Sequence, residues 1–152
     1  MAVKTASVTL DGTTLRFVAT SGSGHAFVLD DGKGDAGPRP AELIPMALAG
    51  CTAMDVISIL RKKRQDVTRY EVRAEGVQMD EHPNAFTRID VLHVVEGSAI
   101  DVDALSRAIE LSATKYCSVG ATLSTGITEI HHKYLLRGDD GSEQTAEVIV
   151  LG

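Results

Sequence analysis

The sequence has no tryptophan and only three phenylalanines and three tyrosines in 152 residues. A core must therefore be assembled from Val, Ile, Leu, Ala and Met. Continuous apolar sequence is also scarce. "MAVKTASVTL" alternates polar and apolar residues like a strand and lacks the apolar centre of a signal peptide. The longest apolar stretch, residues 43–60, contains Pro45, Asp55 and Ser58. It reads as a buried helix and not a membrane span. Basic residues are in the minority, 15 against 21 acidic, for a net charge of -6. That balance argues against nucleic acid or an anionic membrane as a partner. The one dense basic run, Arg61 to Arg64, closes a helix, where cations meet the negative end of the dipole.

Cysteine is rare too, with two in the chain. There is no Cys-x-x-Cys and no His-x-x-x-His pair, and the adjacent His131 and His132 point to opposite faces of a strand. Neither a metal nor another cofactor is expected. The glycines of "SGSGH" lack the spacing and following helix of a dinucleotide fingerprint, and no G-x-S-x-G elbow is present. His25 in that loop is either a pocket residue or simply exposed. His93 falls in register with Ile89, Val91 and Val95 and so points with an apolar set. With no targeting segment visible, a cytoplasmic protein is expected, in which two cysteines are either inert or redox-active.

The composition, 43% hydrophobic and 24% charged, suits one globular domain over residues 1–152. "SVTLDGTTLRFVA" carries Asp11-Gly12 between two alternating runs, which predicts a tight hairpin. "GHAFVLD" reads as a third strand, and "DDGKGDAGPRP" as a loop. A long helix follows over about residues 40–64. Pro40 suits its first turn, while Pro45 marks either a kink or the start of its regular part. Leu43, Ala47, Cys51, Met54 and Leu60 form its expected buried face.

"RYEVRAEGVQM" and "FTRIDVLHVVE" read as strands joined by "DEHPN". A second helix starts at Asp101, a good N-cap, and buries Val102, Leu105, Ala108, Ile109 and Ser112. "CSVGATLS" is a short helical turn, and "GITEIHHKYLL" and "AEVIVL" are the last strands. The order β-β-β-α-β-β-α-β-β places the chain in the α+β class. Its N-terminal strands precede every helix and need another surface to pack on, which points to a dimer.

Cys51 lies in the long helix with Asp55 one turn on, and Cys117 follows the second helix. On the residues alone the pair is either packing or chemistry, since free cysteine is among the most buried residue types. A carboxylate beside a thiol raises its pKa. Asp55 is therefore expected to be paired, with a basic side chain of another subunit or with backbone N–H groups of the strand cluster.

"PAELIPMALAGC", "SATKYCSVG" and the extension "GCTAMDVISILRKKRQDV" resemble the OsmC/Ohr family, in its OsmC-like, YhfA-type branch. The resemblance extends over nearly the whole chain. It implies a thiol-dependent peroxidase in which Cys51 attacks an organic hydroperoxide and Cys117 resolves the resulting sulfenic acid to a disulfide. A dithiol then reduces the pair. It also implies an interwoven homodimer. Characterised members place a glutamate directly after the helix-opening proline, where it holds an arginine against the thiol. Here Ala41 follows Pro40, and Glu42 comes one place later, about 100° round the helix. "HAFVLDDGKGDAG" has no arginine. Glu42, Asp55 and Arg39 are the candidate supporting residues. The alternatives are an OsmC-like protein that binds a small apolar molecule without turnover, and a structural dimer with inert thiols.

Overall fold

The structure is a computed structural model and describes residues 1–150. The chain divides into two compact units, Met1–Ile44 and Pro45–Gly152.

The first unit is an antiparallel sheet in the order β1 (Ala6–Leu10), β2 (Phe17–Ser21), β3 (Ala26–Leu29). The expected tight hairpin at Asp11-Gly12 is instead a longer loop. Leu10 pairs with Phe17, the Asp11 N–H donates to the Arg16 carbonyl at 2.9 Å, and Arg16 Nε lies 3.0 Å from the Asp11 carboxylate. Gly12 still supplies a left-handed residue, φ 92°. After β3 the carboxylate of Asp30, 4% exposed, accepts from the N–H groups of Asp31 and Ala36. It gathers the glycine-rich loop around itself. Gly37 is required there, because a Cβ would lie 2.0 Å from the Val28 carbonyl oxygen. A single 3-10 turn, Pro40–Glu42, ends the loop.

Helix α1 runs from Leu43 to Lys62. Pro45 stands in its first turn, where a missing N–H leaves no carbonyl unpaired, so the regular helix accommodates it. At the other end Arg64 takes a left-handed conformation, φ 56°. The Gln65 N–H then reaches back to the Leu60 carbonyl at 3.0 Å, which satisfies the last turn. With the turn before it, this helix is long and apolar enough to cross a membrane by length and composition alone. Its inward line is Leu48, Thr52, Val56 and Leu60, all fully buried. The expected face was rotated from this: Leu60 belongs to it, but Met54 is 74% exposed. In so uniformly apolar a helix, hydrophobicity does not single out one side.

The second unit is built on a sheet in the order β4 (Asp66–Gln78), β5 (Phe86–Ser98), β6 (Glu129–Gly138), β7 (Glu143–Val148). The β5–β6 pair is parallel and the others are antiparallel. A parallel pair needs a long crossover. Here the crossover holds α2 (Val102–Leu111), a widened π turn (Ser112–Tyr116) and α3 (Ser118–Ser124). Asp101 caps α2 as expected, accepting from the Asp103 N–H at 3.0 Å. The core joins Val56 and Leu60 of α1, Leu105, Ala108 and Ile109 of α2, and Val95, Tyr134, Leu136 and Val148 of the sheet. The α+β class and the sequence of elements are those expected, with α3 as the short turn around "CSVGATLS". The last strand was expected to reach Leu151, which lies outside the described residues.

Candidate functional site

Two chain segments bring the cysteines together in the second unit. Cys51 lies midway along α1 and is half-buried, one residue before the buried line that holds the helix in place. Cys117 ends the crossover's π turn, a widening often found where a helix must aim a functional group. It is 4% exposed. It also caps α3, its sulfur accepting the Gly120 N–H at 3.2 Å. Both thiols are free. The two sulfurs and a carboxylate oxygen of Asp55 all lie within 4.8 Å of one another. The sixty-five residues between the cysteines are thus closed by helix α1 on one side and the crossover on the other.

Asp55 is not left alone. Ser112 Oγ lies 2.9 Å from Asp55 Oδ2 and 2.9 Å from Thr52 Oγ1. One hydroxyl proton cannot serve both, and a carboxylate only accepts, so Ser112 donates to Asp55 and Thr52 donates to Ser112. Within the chain this hydroxyl, and not the expected backbone N–H of the strand cluster, is the partner of Asp55. Thr52 and Ser112 are fully buried. The clamp holds α1 to the first residue of the turn that leads to Cys117.

Burial, followed by the hydrogen bond and charge of the neighbouring Cys51 sulfur and the charge of Asp55, pushes the Cys117 thiol up from 9.0 to about 12. The Gly120 N–H acts the other way and is outweighed. Cys117 is therefore a protonated thiol at neutral pH. Cys51, Asp55 and Cys117 are also the one donor set among the described residues that could hold a metal ion. Thiolate and carboxylate donors of this kind suit a thiophilic ion such as zinc. Sequence spacing did not reveal this set.

Arg39 and Glu42 belong to the first unit. There the Arg39 guanidinium pairs with Asp35 at 2.6 Å and approaches Glu42 at 4.0 Å. The Glu42 carboxylate accepts the Arg39 N–H at 2.9 Å. Glu42 thus caps the turn before α1. His25 is exposed and bonds to Ser23 in its own loop. Beside Cys117 a cavity of about 460 Å³ is walled by Leu48, Ala113, Gly120, Ala121, Ile130 and His132, among others. Sequence reasoning missed this cavity and the Thr52–Ser112–Asp55 hydroxyl chain. The available signal was a polar residue on the buried stripe of each of two helices.

The family model described as OsmC-like protein matches residues 32–131, which take in both cysteines, α1 and the whole crossover. The chain belongs to the OsmC-like family. Among its relatives, protein YhfA of Escherichia coli (strain K12) is 42% identical over 120 residues, which is 79% of this chain and 89% of YhfA. A crystal structure of a hypothetical protein from Aquifex aeolicus VF5 matches with a TM-score of 0.79 at 26% identity, covering 91% of this chain and 99% of that one. The organic hydroperoxide resistance protein OhrB of Bacillus subtilis matches with a TM-score of 0.57 at 18% identity, covering 86% and 97%. At that identity the likeness is one of fold.

Proposed function

We propose that this OsmC-like protein reduces organic hydroperoxides through Cys51 and Cys117. The observation that carries the reading is the mutual closeness of the two sulfurs, within 4.8 Å, in a chain where both are reduced. The Cys51 thiolate attacks the terminal peroxide oxygen. The O–O bond breaks, the sulfur is oxidised to a sulfenic acid, and the alkoxide leaves with a proton as the alcohol. Cys117 then forms the S–S bond and water departs with the sulfenic oxygen. A dithiol reductant exchanges with this disulfide, restoring two thiols and becoming a disulfide itself. Asp55 and its hydroxyl chain position α1 against the crossover, while Glu42 and Arg39 shape the entry to α1. The working form we propose is a homodimer, supported by exposed Met46 and Met54 along α1 and exposed Val8, Leu10 and Phe27 on the N-terminal sheet. A reducing compartment such as the cytoplasm fits two free, closely spaced thiols.

A second reading is favoured by one observation. Arg39, the candidate cation, is already paired with Asp35 and Glu42. With that cation already engaged, an OsmC-like protein that binds a small molecule without turnover follows. Cumene hydroperoxide with thiol counting separates the two. The redox reading expects both thiols of each chain to disappear without a link between chains, and to return with dithiothreitol. Thiols that survive the peroxide, or that vanish only into interchain links, would sink it.

A further inference from the structure

Three neighbouring strands of the second unit carry a buried polar chain that the thiol chemistry does not use. Tyr70 on β4 pairs across with Val95, so His93, two residues away on β5, is its diagonal neighbour on the same face. His93 pairs with Tyr134 on β6, which puts His132 on that face by the same stagger. The Tyr70 hydroxyl lies 2.7 Å from His93 Nδ1, and His93 Nε2 lies 3.1 Å from His132 Nδ1. The rings stack along the chain, with centroids 6.0 Å and 5.4 Å apart. His93 is fully buried and His132 is 4% exposed.

Proton accounting gives this chain a direction. Among the described residues Tyr70 has no partner for its hydroxyl besides His93. If His93 carried its proton on Nδ1, the partly buried Tyr70 O–H would have no acceptor among the described residues. With Tyr70 donating to Nδ1, the His93 proton sits on Nε2 and points to His132 Nδ1. His132 must then carry its own proton on Nε2. That arrangement lets each group donate once, which buried polar groups require. Burial keeps both rings neutral: His93 is lowered to about 3 and His132 to about 4.

The far edge of His132 is where the chain ends. Its Nδ1 faces His93, and the ring forms part of the wall of the cavity beside Cys117. Its Nε2 has no hydrogen-bond partner among the described residues, yet it is not among the fully enclosed side-chain atoms that lack one. The rest of that wall is chiefly apolar or small, with Leu48, Ala113, Ala121 and Ile130, and also carries Thr114, Ser124 and Cys117. We infer that this cavity is a binding site for a small, largely apolar molecule bearing an uncharged acceptor oxygen, which takes the N–H of His132 Nε2. A neutral donor of fixed direction favours a carbonyl, ether or alcohol oxygen. A metal ion would need a bare nitrogen, and the relay leaves His132 none. A bound anion would call for an imidazolium, which burial opposes.

Cys117, the resolving thiol of the redox reading, also lines this cavity, but the His132 N–H takes no part in that chemistry, so the two readings can be tested apart. The probes are acetophenone and α-methylstyrene, which share a shape and differ in the acceptor oxygen. In protein labelled with ¹⁵N at histidine, His93 and His132 should both be protonated at Nε2 and bare at Nδ1. Acetophenone should move the His132 Nε2–H resonance and α-methylstyrene should not. In His132→Phe the affinity ratio of acetophenone to α-methylstyrene should fall about three- to ten-fold, the equivalent of one neutral hydrogen bond. Differences in transfer from water cancel in that ratio. If that variant does not fold, Tyr70→Phe takes its place: loss of the terminal donor should leave both imidazoles as tautomer mixtures. His132 protonated at Nδ1, a Nε2–H indifferent to acetophenone, an unchanged ratio, or unchanged tautomers in Tyr70→Phe would each overturn the inference. Cys51→Ser should bind acetophenone like the parent, so failure of the peroxidase reading is told apart from failure of this one.

Discussion

Ser112 donates a hydrogen bond to Asp55 across 2.9 Å, and through that bond helix α1 is fixed to the turn that delivers Cys117. An acid beside a thiol would otherwise be an expensive neighbour. Ser112→Ala leaves the half-buried carboxylate without its donor. Stability should fall by about 1–3 kcal/mol, the range for an unsatisfied buried partner, as read by denaturant unfolding. Asp55→Asn removes instead a charge that raises the Cys117 thiol. The Cys117 pKa should fall, and a thiolate absorbance titration measures it. A Ser112→Ala protein as stable as the parent would mean that the clamp is ornamental.

The two thiols should differ in what their loss does. Cys51→Ser should abolish hydroperoxide consumption, because serine at its free pKa is a far weaker nucleophile than a thiolate. Cys117→Ser should consume about one equivalent and then stall as a sulfenic or over-oxidised acid, visible by mass spectrometry. Wild-type turnover in Cys51→Ser would refute the proposed assignment of roles.

Much of this architecture was legible because period-2 and period-3.6 patterns were strong where they mattered. The alternation around His93 placed it with the apolar set, and it is buried; the alternation at His131 and His132 set them on opposite faces but not which of them turns inward. The stripe of α2 down to Ser112 also followed from its spacing. Helix α1 was different. Apolar residues on every side left its rotation undetermined, and Thr52, a polar residue, proved to mark the inward line while Met54 pointed out. The Asp11-Gly12 signal identified a turn but not its length: the strands pair only from Leu10–Phe17 outward, with the Asp11 N–H on the Arg16 carbonyl. The Tyr70–His93–His132 chain depends on cross-strand register, and no single segment of sequence displays that.

The buried thiol should be felt at alkaline pH. Cys117 is raised from 9.0 to about 12, so above pH 9 the unfolded chain loses a proton that the folded chain retains. The resulting stabilisation is whole below pH 9 and is lost as pH rises toward 12. Tyr70 is raised as well, chiefly by burial, and acts with the same sign. Melting temperatures should drop through this window, and Cys117→Ser should soften the drop. An identical alkaline profile for the two proteins would contradict the shift.

A dimer should persist at low micromolar concentration in light scattering, since obligate interfaces bury roughly 2,000 Å² or more. Met54→Lys and Phe27→Lys place a charge on exposed apolar positions. If those faces meet a second copy, at least one substitution should release monomers. A monomeric parent protein would remove the dimer from the proposed function.

The histidine chain predicts the opposite limb of the stability curve. His93 and His132 are lowered from 6.5 to about 3 and about 4. Burial is the first cause in both; the neighbouring His132 adds to it for His93, and His131 for His132. Below pH 6.5 the unfolded chain takes up protons that the folded chain refuses, so stability is whole above 6.5 and falls as pH drops toward 4. His131 opposes this, because Glu147 and Glu129 raise it, and a raised histidine stabilises at low pH. Its side chain is 30% exposed, so solvent screens its gain, and the two buried rings should dominate. Few carboxylates titrate above pH 5, so the limb between pH 6.5 and 5 isolates the imidazoles. Melting should fall steadily across that limb, while the His93 and His132 ring resonances of the folded protein stay unshifted. Ring resonances that titrate near pH 6.5 would show that the chain is open to water and that its proton order is not fixed.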